Sequence, residues 1–153
     1  MKRIIVGLIL LLLVVVIGCQ QAVEKPLDVE AEKAAIKAVL KAQLDAIKAH
    51  SYEGEAAVWA HTPYIVRKKV KGWDRVSDYY ISLFEKAKKD PNNYQFYEAT
   101  LIGADIYVNG NFASAFTTEY AEFIWEGEKV SNNRKPHKYL EKINGEWKII
   151  TLF

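Results

Sequence analysis

Apolar positions recur at helical spacing through the first part of the folded region. Ile36, Leu40, Leu44 and Ile47 form one stripe with Val39, and Lys37, Lys41, Asp45 and Lys48 form a separate wet one. Asp28 is placed to cap this stretch, with Glu30 and Glu32 at the positive end of the helix dipole. The spacing predicts a helix from Asp28 to about His50. A second, shorter helix is predicted from Ser51 to Trp59 or Ala60, stopped by Pro63. Tyr64 to Val70 reads as a first strand, and Gly72 breaks it. Trp73, Val76, Tyr80, Leu83, Phe84 and Ala87 mark a third helix, which ends among Lys86, Lys88 and Lys89 before Asp90-Pro91.

From Tyr94 onward the period changes to two. Strands are predicted from Tyr94 to Val108, Phe112 to Trp125, Lys129 to Ile143 and Glu146 to Phe153, the third interrupted near Asn132 to Pro136. Asn109-Gly110, Glu126-Gly127-Glu128 and Asn144-Gly145 supply the turns between them. Three helices followed by an antiparallel meander predict an α+β domain with the helices on one sheet face. Along the second long strand, Ala113, Ala115, Thr117, Glu119 and Ala121 share a face of small residues. Phe112, Phe116, Tyr120 and Ile124 share the other, which suits a buried layer or a contact between two copies of the chain.

Ahead of this domain, Met1-Lys2-Arg3 is a cationic start and Ile4 to Ile17 an unbroken apolar run. Fourteen residues or so is short for a bilayer span, which needs about 20, and fits a signal-peptide core. The run closes on Val16-Ile17-Gly18-Cys19, which resembles a bacterial lipobox. That resemblance implies cleavage before Cys19 and acylation of Cys19 by diacylglycerol and a further palmitate-type chain. The chain then divides into a lipoprotein signal peptide (1–18), a lipid-attached tether (19–27) and a folded domain (28–153). Two or three acyl chains hold a protein at a bilayer almost permanently, because each buried methylene contributes about 0.8 kcal/mol. The expected location is the bacterial cell envelope, on the outer membrane or the extracytoplasmic face of the inner one. Gln20 follows the cysteine, where aspartate resembles an inner-membrane retention signal.

Composition narrows the function classes. The 153 residues are 50% hydrophobic and 26% charged, proportions of one globular domain with a sizeable core. Loss of Lys2 and Arg3 with the leader leaves 19 cationic and 19 anionic side chains, so no basic footprint for nucleic acid remains. A single cysteine excludes an internal disulfide and argues against a thiolate metal site.

The order of two helices, strand, helix and four long strands resembles the nuclear transport factor 2-like (SnoaL-like) superfamily. Val70-Lys71-Gly72-Trp73-Asp74 resembles its strand-to-helix step, and Asn109-Gly110-Asn111-Phe112-Ala113 its hairpin. Leu140-Glu141-Lys142-Ile143-Asn144-Gly145-Glu146-Trp147-Lys148-Ile149 resembles its closing hairpin. The resemblance implies a cystatin-like cone, in which a curved sheet wraps the three N-terminal helices around a cavity. The superfamily hosts isomerases, dehydratases, cyclases and binding-only members, so fold alone assigns no activity. Its isomerases place a general-base aspartate in the first strand. The comparable position here is near Arg67, and an arginine stays protonated.

The candidate pocket residues are Trp59, His61, Tyr64, Trp73, Tyr80, Tyr97, Glu119 and His137. The aromatics offer apolar walls with polar tips, although ordinary core packing accounts for any one of them. His61 is an acid–base candidate at the cavity mouth, because an imidazole can give or take a proton, against a simpler role in capping a helix end. Glu119 is the best internal carboxylate, against a simpler role in a salt bridge to a lysine. No spacing requires His61, Glu119 and His137 to converge, so neither a metal nor a cofactor is expected. The sequence favours an anchored domain that binds a small, partly apolar molecule without transforming it. The alternatives are a lyase, isomerase or hydrolase using His61 or Glu119, and a dimerising envelope interaction module.

Overall fold

The computed structural model describes residues 27–153; the expected signal peptide, Cys19 and nearly all of the tether lie outside the described residues. Helix α1 (Val29–Lys48) starts where the Asp28 carboxylate accepts the Ala31 amide at 3.1 Å. Its buried stripe is Ile36, Leu40, Gln43, Leu44 and Ala46, so one position on the apolar face is an amide. The helix stops at His50, which takes the left-handed conformation (φ 50°), while the Ser51 amide returns to the Ala46 carbonyl at 2.9 Å. Ser51 then caps α2 (Tyr52–Val58) by accepting the Gly54 amide at 3.0 Å. This reversal presses the two helices together. Helix α3 (Trp73–Lys89) buries Val76, Tyr80, Leu83, Phe84 and Ala87, the predicted stripe, together with Ser77.

The described residues form seven strands, β1 (Val66–Arg67), β2 (Val70–Lys71), β3 (Tyr94–Asn109), β4 (Phe112–Trp125), β5 (Glu128–Arg134), β6 (His137–Ile143) and β7 (Glu146–Leu152). Their order is β2-β1-β7-β6-β4-β3, with β5 also on β4. Strands β5 and β6 are two parts of one arm that follows β4. The arm breaks at Lys135-Pro136, where proline has no amide to donate. Two expectations need correction. The predicted first strand is two short ones folded at Lys68, whose φ of 53° turns the chain sharply. Strand β1 also runs parallel to β7, so the sheet is mixed rather than wholly antiparallel.

Register shifts between β3 and β4 at Phe96/Glu98 and Leu101/Gly103 bend and twist the long hairpin. The sheet curves over the helices without closing, which is the α+β cone expected from the sequence. Strict alternation turns Ala113, Ala115, Thr117, Glu119 and Ala121 inward and leaves Phe112 and Phe116 half exposed on the outer face. The small inner face admits Ile36, Leu40, Trp59 and Tyr80, which pack with Ile65, Leu140, Trp147 and Ile149. Most of the interior is therefore filled. A hollow remains beside the C-terminal parts of α1 and β7.

Candidate functional site

Strand alternation on β6 decides the chemistry of that hollow. Leu140 faces the core, so Lys138, two residues earlier, must face inward too, and it is fully buried. Its Nζ donates to Glu119 Oε1 at 2.5 Å and to Gln43 Oε1 at 2.7 Å. Glu119 also accepts from Thr117 Oγ1 at 3.0 Å and, on Oε2, from Arg134 Nη2 at 3.2 Å. Burial favours the neutral amine and lowers the Lys138 pKa, while the Glu119 carboxylate beside it opposes that shift. Such a pair persists in the interior only when its hydrogen-bonding capacity is met, and on Glu119 it is. Among the described residues two donors of the group are not met: Gln43 Nε2 and Arg134 Nε are buried without a partner.

Gln43, Glu119, Arg134 and Lys138 line a cavity of about 260 Å³ with Arg67, Tyr80 and an apolar wall of Leu44, Ile47 and Leu152. Arg67 donates from Nε to the Tyr80 hydroxyl at 3.2 Å, and its guanidinium carbon lies 3.7 Å from the centroid of the Tyr79 ring. Arg67, Lys68, Arg134, Lys135 and Lys138 all line the cavity, against the single side-chain carboxylate of Glu119.

Glu55 adjoins this site without lining it. Its side chain is fully buried, and Oε2 accepts from Trp59 Nε1 at 2.9 Å while Oε1 has no partner among the described residues. Burial pushes its pKa up to about 7, against the opposing hydrogen bond from Trp59. The Tyr80 hydroxyl is pushed upward as well, first by burial and then by Glu55. A phenol that favours its protonated form thus stands at the inner end of the site, and behind it, outside the lining, a carboxyl group whose pKa is raised.

The eight candidate residues do not form one pocket. Tyr80 and Glu119 line the cavity, and Trp59 stands next to Tyr80 with its ring centroid 6.3 Å away. His61 lies outside, stacked on Trp73 at 4.0 Å, where Nε2 donates to the Ala56 carbonyl at 2.8 Å near the end of α2. Tyr64 is exposed and donates to Glu141 at 2.6 Å. Tyr97 is exposed at the bulge, because the extra residue there leaves Phe96 to face inward. His137 must face outward once Lys138 faces inward, and it stacks on Phe116 at 3.9 Å. His61, Glu119 and His137 are not brought together, and among the described residues no cluster of three or more His, Cys, Asp or Glu gathers for a metal.

Gln43, Arg67, Arg134 and Lys138 are the cavity residues that the sequence reading missed, and it missed Glu55 beside them as well. Gln43 and Lys138 carried a usable signal: each sits at an inward position of its element's own period. The conformation of Lys68, which aims Arg67 at the Tyr79–Tyr80 pair, has no local signature.

Neither family models nor curated proteins match the sequence. Solved structures do. A nuclear transport factor 2-like superfamily protein from Salmonella enterica serovar Typhimurium superposes with a TM-score of 0.66 at 16% identity, covering 81% of this chain and 89% of its own. A proposed dehydratase of the same family from Streptomyces avermitilis gives 0.65 at 14%, covering 80% and 94%. A protein with a cystatin-like fold from Caulobacter vibrioides gives 0.61 at 16%, covering 78% and 85%. The domain has the nuclear transport factor 2-like, cystatin-like fold. Among the described residues no helix is long and apolar enough to cross a membrane.

Proposed function

We propose that this chain is a lipid-anchored protein of the bacterial envelope whose domain binds a small organic molecule in the cavity and does not transform it. The observation that carries this reading is the cavity itself, which combines an apolar wall with the unpartnered, buried Gln43 amide. Catalysis is disfavoured by occupancy. Both Glu119 oxygens already accept hydrogen bonds from Thr117, Lys138 and Arg134, and Glu55, whose pKa suits proton transfer, does not line the space a substrate would occupy. Anchoring is supported by the lipobox-like Val16-Ile17-Gly18-Cys19.

The test is thermal unfolding of the full chain in detergent with hexanol, hexanoate, benzamide and benzoate. A dose-dependent rise in midpoint with at least one of them is expected, and no response to any would refute the binding reading. Anchoring is tested by fractionation: Cys19→Ser should move the protein out of the acylated membrane fraction.

A second reading rests on the outer sheet face. Tyr107, Phe112, Phe116 and Tyr139 are exposed side by side there, with Phe116 seated against His137. Contiguous exposed aromatics of this kind mark interaction surfaces. We propose that a second copy of the chain covers them.

A further inference from the structure

We infer that the cavity is a receptor for a small monocarboxylate, whose carboxylate sits among Gln43 Nε2, Lys138 Nζ and the Arg67 guanidinium. The inference rests on the ligand-binding reading and names the ligand class. It starts from the kind of group left unmet. Gln43 is 1% exposed and lines the cavity, and its unpartnered atom is a donor. The unpartnered buried atom of Arg134 is a donor as well. An ammonium has three N–H groups and Lys138 directs two at Glu119 and Gln43, which leaves one. Arg67 spends Nε on Tyr80 and makes no ion pair among the described residues. The wall is therefore rich in donors, and the ligand must supply acceptors.

Charge selects an anion over a neutral acceptor. Five cationic side chains line the cavity against one side-chain carboxylate, and that carboxylate already serves Lys138 and Arg134. A guanidinium beside an amide N–H presents a planar array of donors, which matches the two coplanar oxygens of a carboxylate. Inorganic phosphate has no apolar part to set against the apolar side of this lining, whereas the hydrocarbon body of a monocarboxylate covers it. The volume of about 260 Å³ falls below the ~300–1,000 Å³ of drug-sized sites. Leu44, Ile47 and Leu152 leave an apolar surface for the body of the acid.

Calorimetric titration of the full chain in detergent at pH 7, with benzoate, benzamide and inorganic phosphate, tests the inference. Benzoate should bind at least tenfold more tightly than benzamide or phosphate. Gln43→Met should weaken benzoate at least fivefold. Should that variant fold poorly, Arg67→Lys at the cavity wall keeps the charge but loses the fork, and it should weaken benzoate similarly. Equal binding of benzamide and benzoate, tighter binding of phosphate, or no effect in a folded variant overturns the carboxylate assignment alone. Silence from all the probes here and from hexanol and hexanoate removes the ligand-binding reading with it.

Discussion

Lys138 Nζ lies 2.5 Å from Glu119 Oε1, and both side chains are almost wholly withdrawn from water. The contact ties β6 to β4 and, through Gln43, to α1. Removing one partner strands the other charge in the interior, which typically costs about 3–5 kcal/mol. Lys138→Met should therefore lower unfolding stability by about that amount in urea titrations. The double change Glu119→Leu with Lys138→Met should lose clearly less than the two single losses added together.

Glu55 gives the fold a pH dependence of definite sign. Its pKa in the native state is about 7, above the 4.5 of an unperturbed glutamate, so the folded chain keeps a proton that the unfolded chain has released. The stability tied to that proton is complete below about pH 4.5 and is lost as pH rises towards 7, at about 1.4 kcal/mol per unit. Glu55→Gln should remove this slope. Scanning calorimetry should find the variant more stable than the parent at pH 8, with the difference vanishing near pH 4.

Gly54 looks like an improvable helix position, since alanine is favoured over glycine by about 1 kcal/mol in a helix interior. The packing says otherwise. A Cβ on Gly54 would lie 2.8 Å from the Ala46 Cβ, and neither group can swing aside. Gly54→Ala should lower the thermal midpoint, with a net loss of about 1–3 kcal/mol. A rise in midpoint would show that α1 and α2 are free to part.

On the outer face, Phe112→Ser combined with Phe116→Ser removes two half-exposed rings and no core contact. If a second copy covers this surface, sedimentation equilibrium should show the parent chain associating and the double variant monomeric. Both should give the same far-ultraviolet dichroism.

Much of the architecture could be read from local chemistry. The helix stripes, the Asp28 and Ser51 caps and the Asn109-Gly110 and Asn144-Gly145 turns are each encoded within a few residues of where they act. What could not be read depends on partners distant in sequence. Lys68 adopts a left-handed conformation with neither glycine nor asparagine to announce it, and that turn splits the first strand and directs Arg67 inward. His50 looks like the exposed end of a helix, yet its Nε2 accepts the Phe96 amide at 3.2 Å, 46 residues away. Gln43 and Lys138 lie 95 residues apart, and hydrophobic patterning assigns polar residues to the surface unless their parity is counted. The site was hidden because it consists of polar groups at inward positions.

The length of α1 has a consequence for where a ligand comes from. At 1.5 Å per residue, Gln43 stands as much as about 22 Å along the axis from the residue that leads into the helix. In a chain tethered by its first residues, such a strut can carry the opening clear of the lipid headgroups. The solute captured there would then be drawn from the surrounding water rather than extracted from the bilayer.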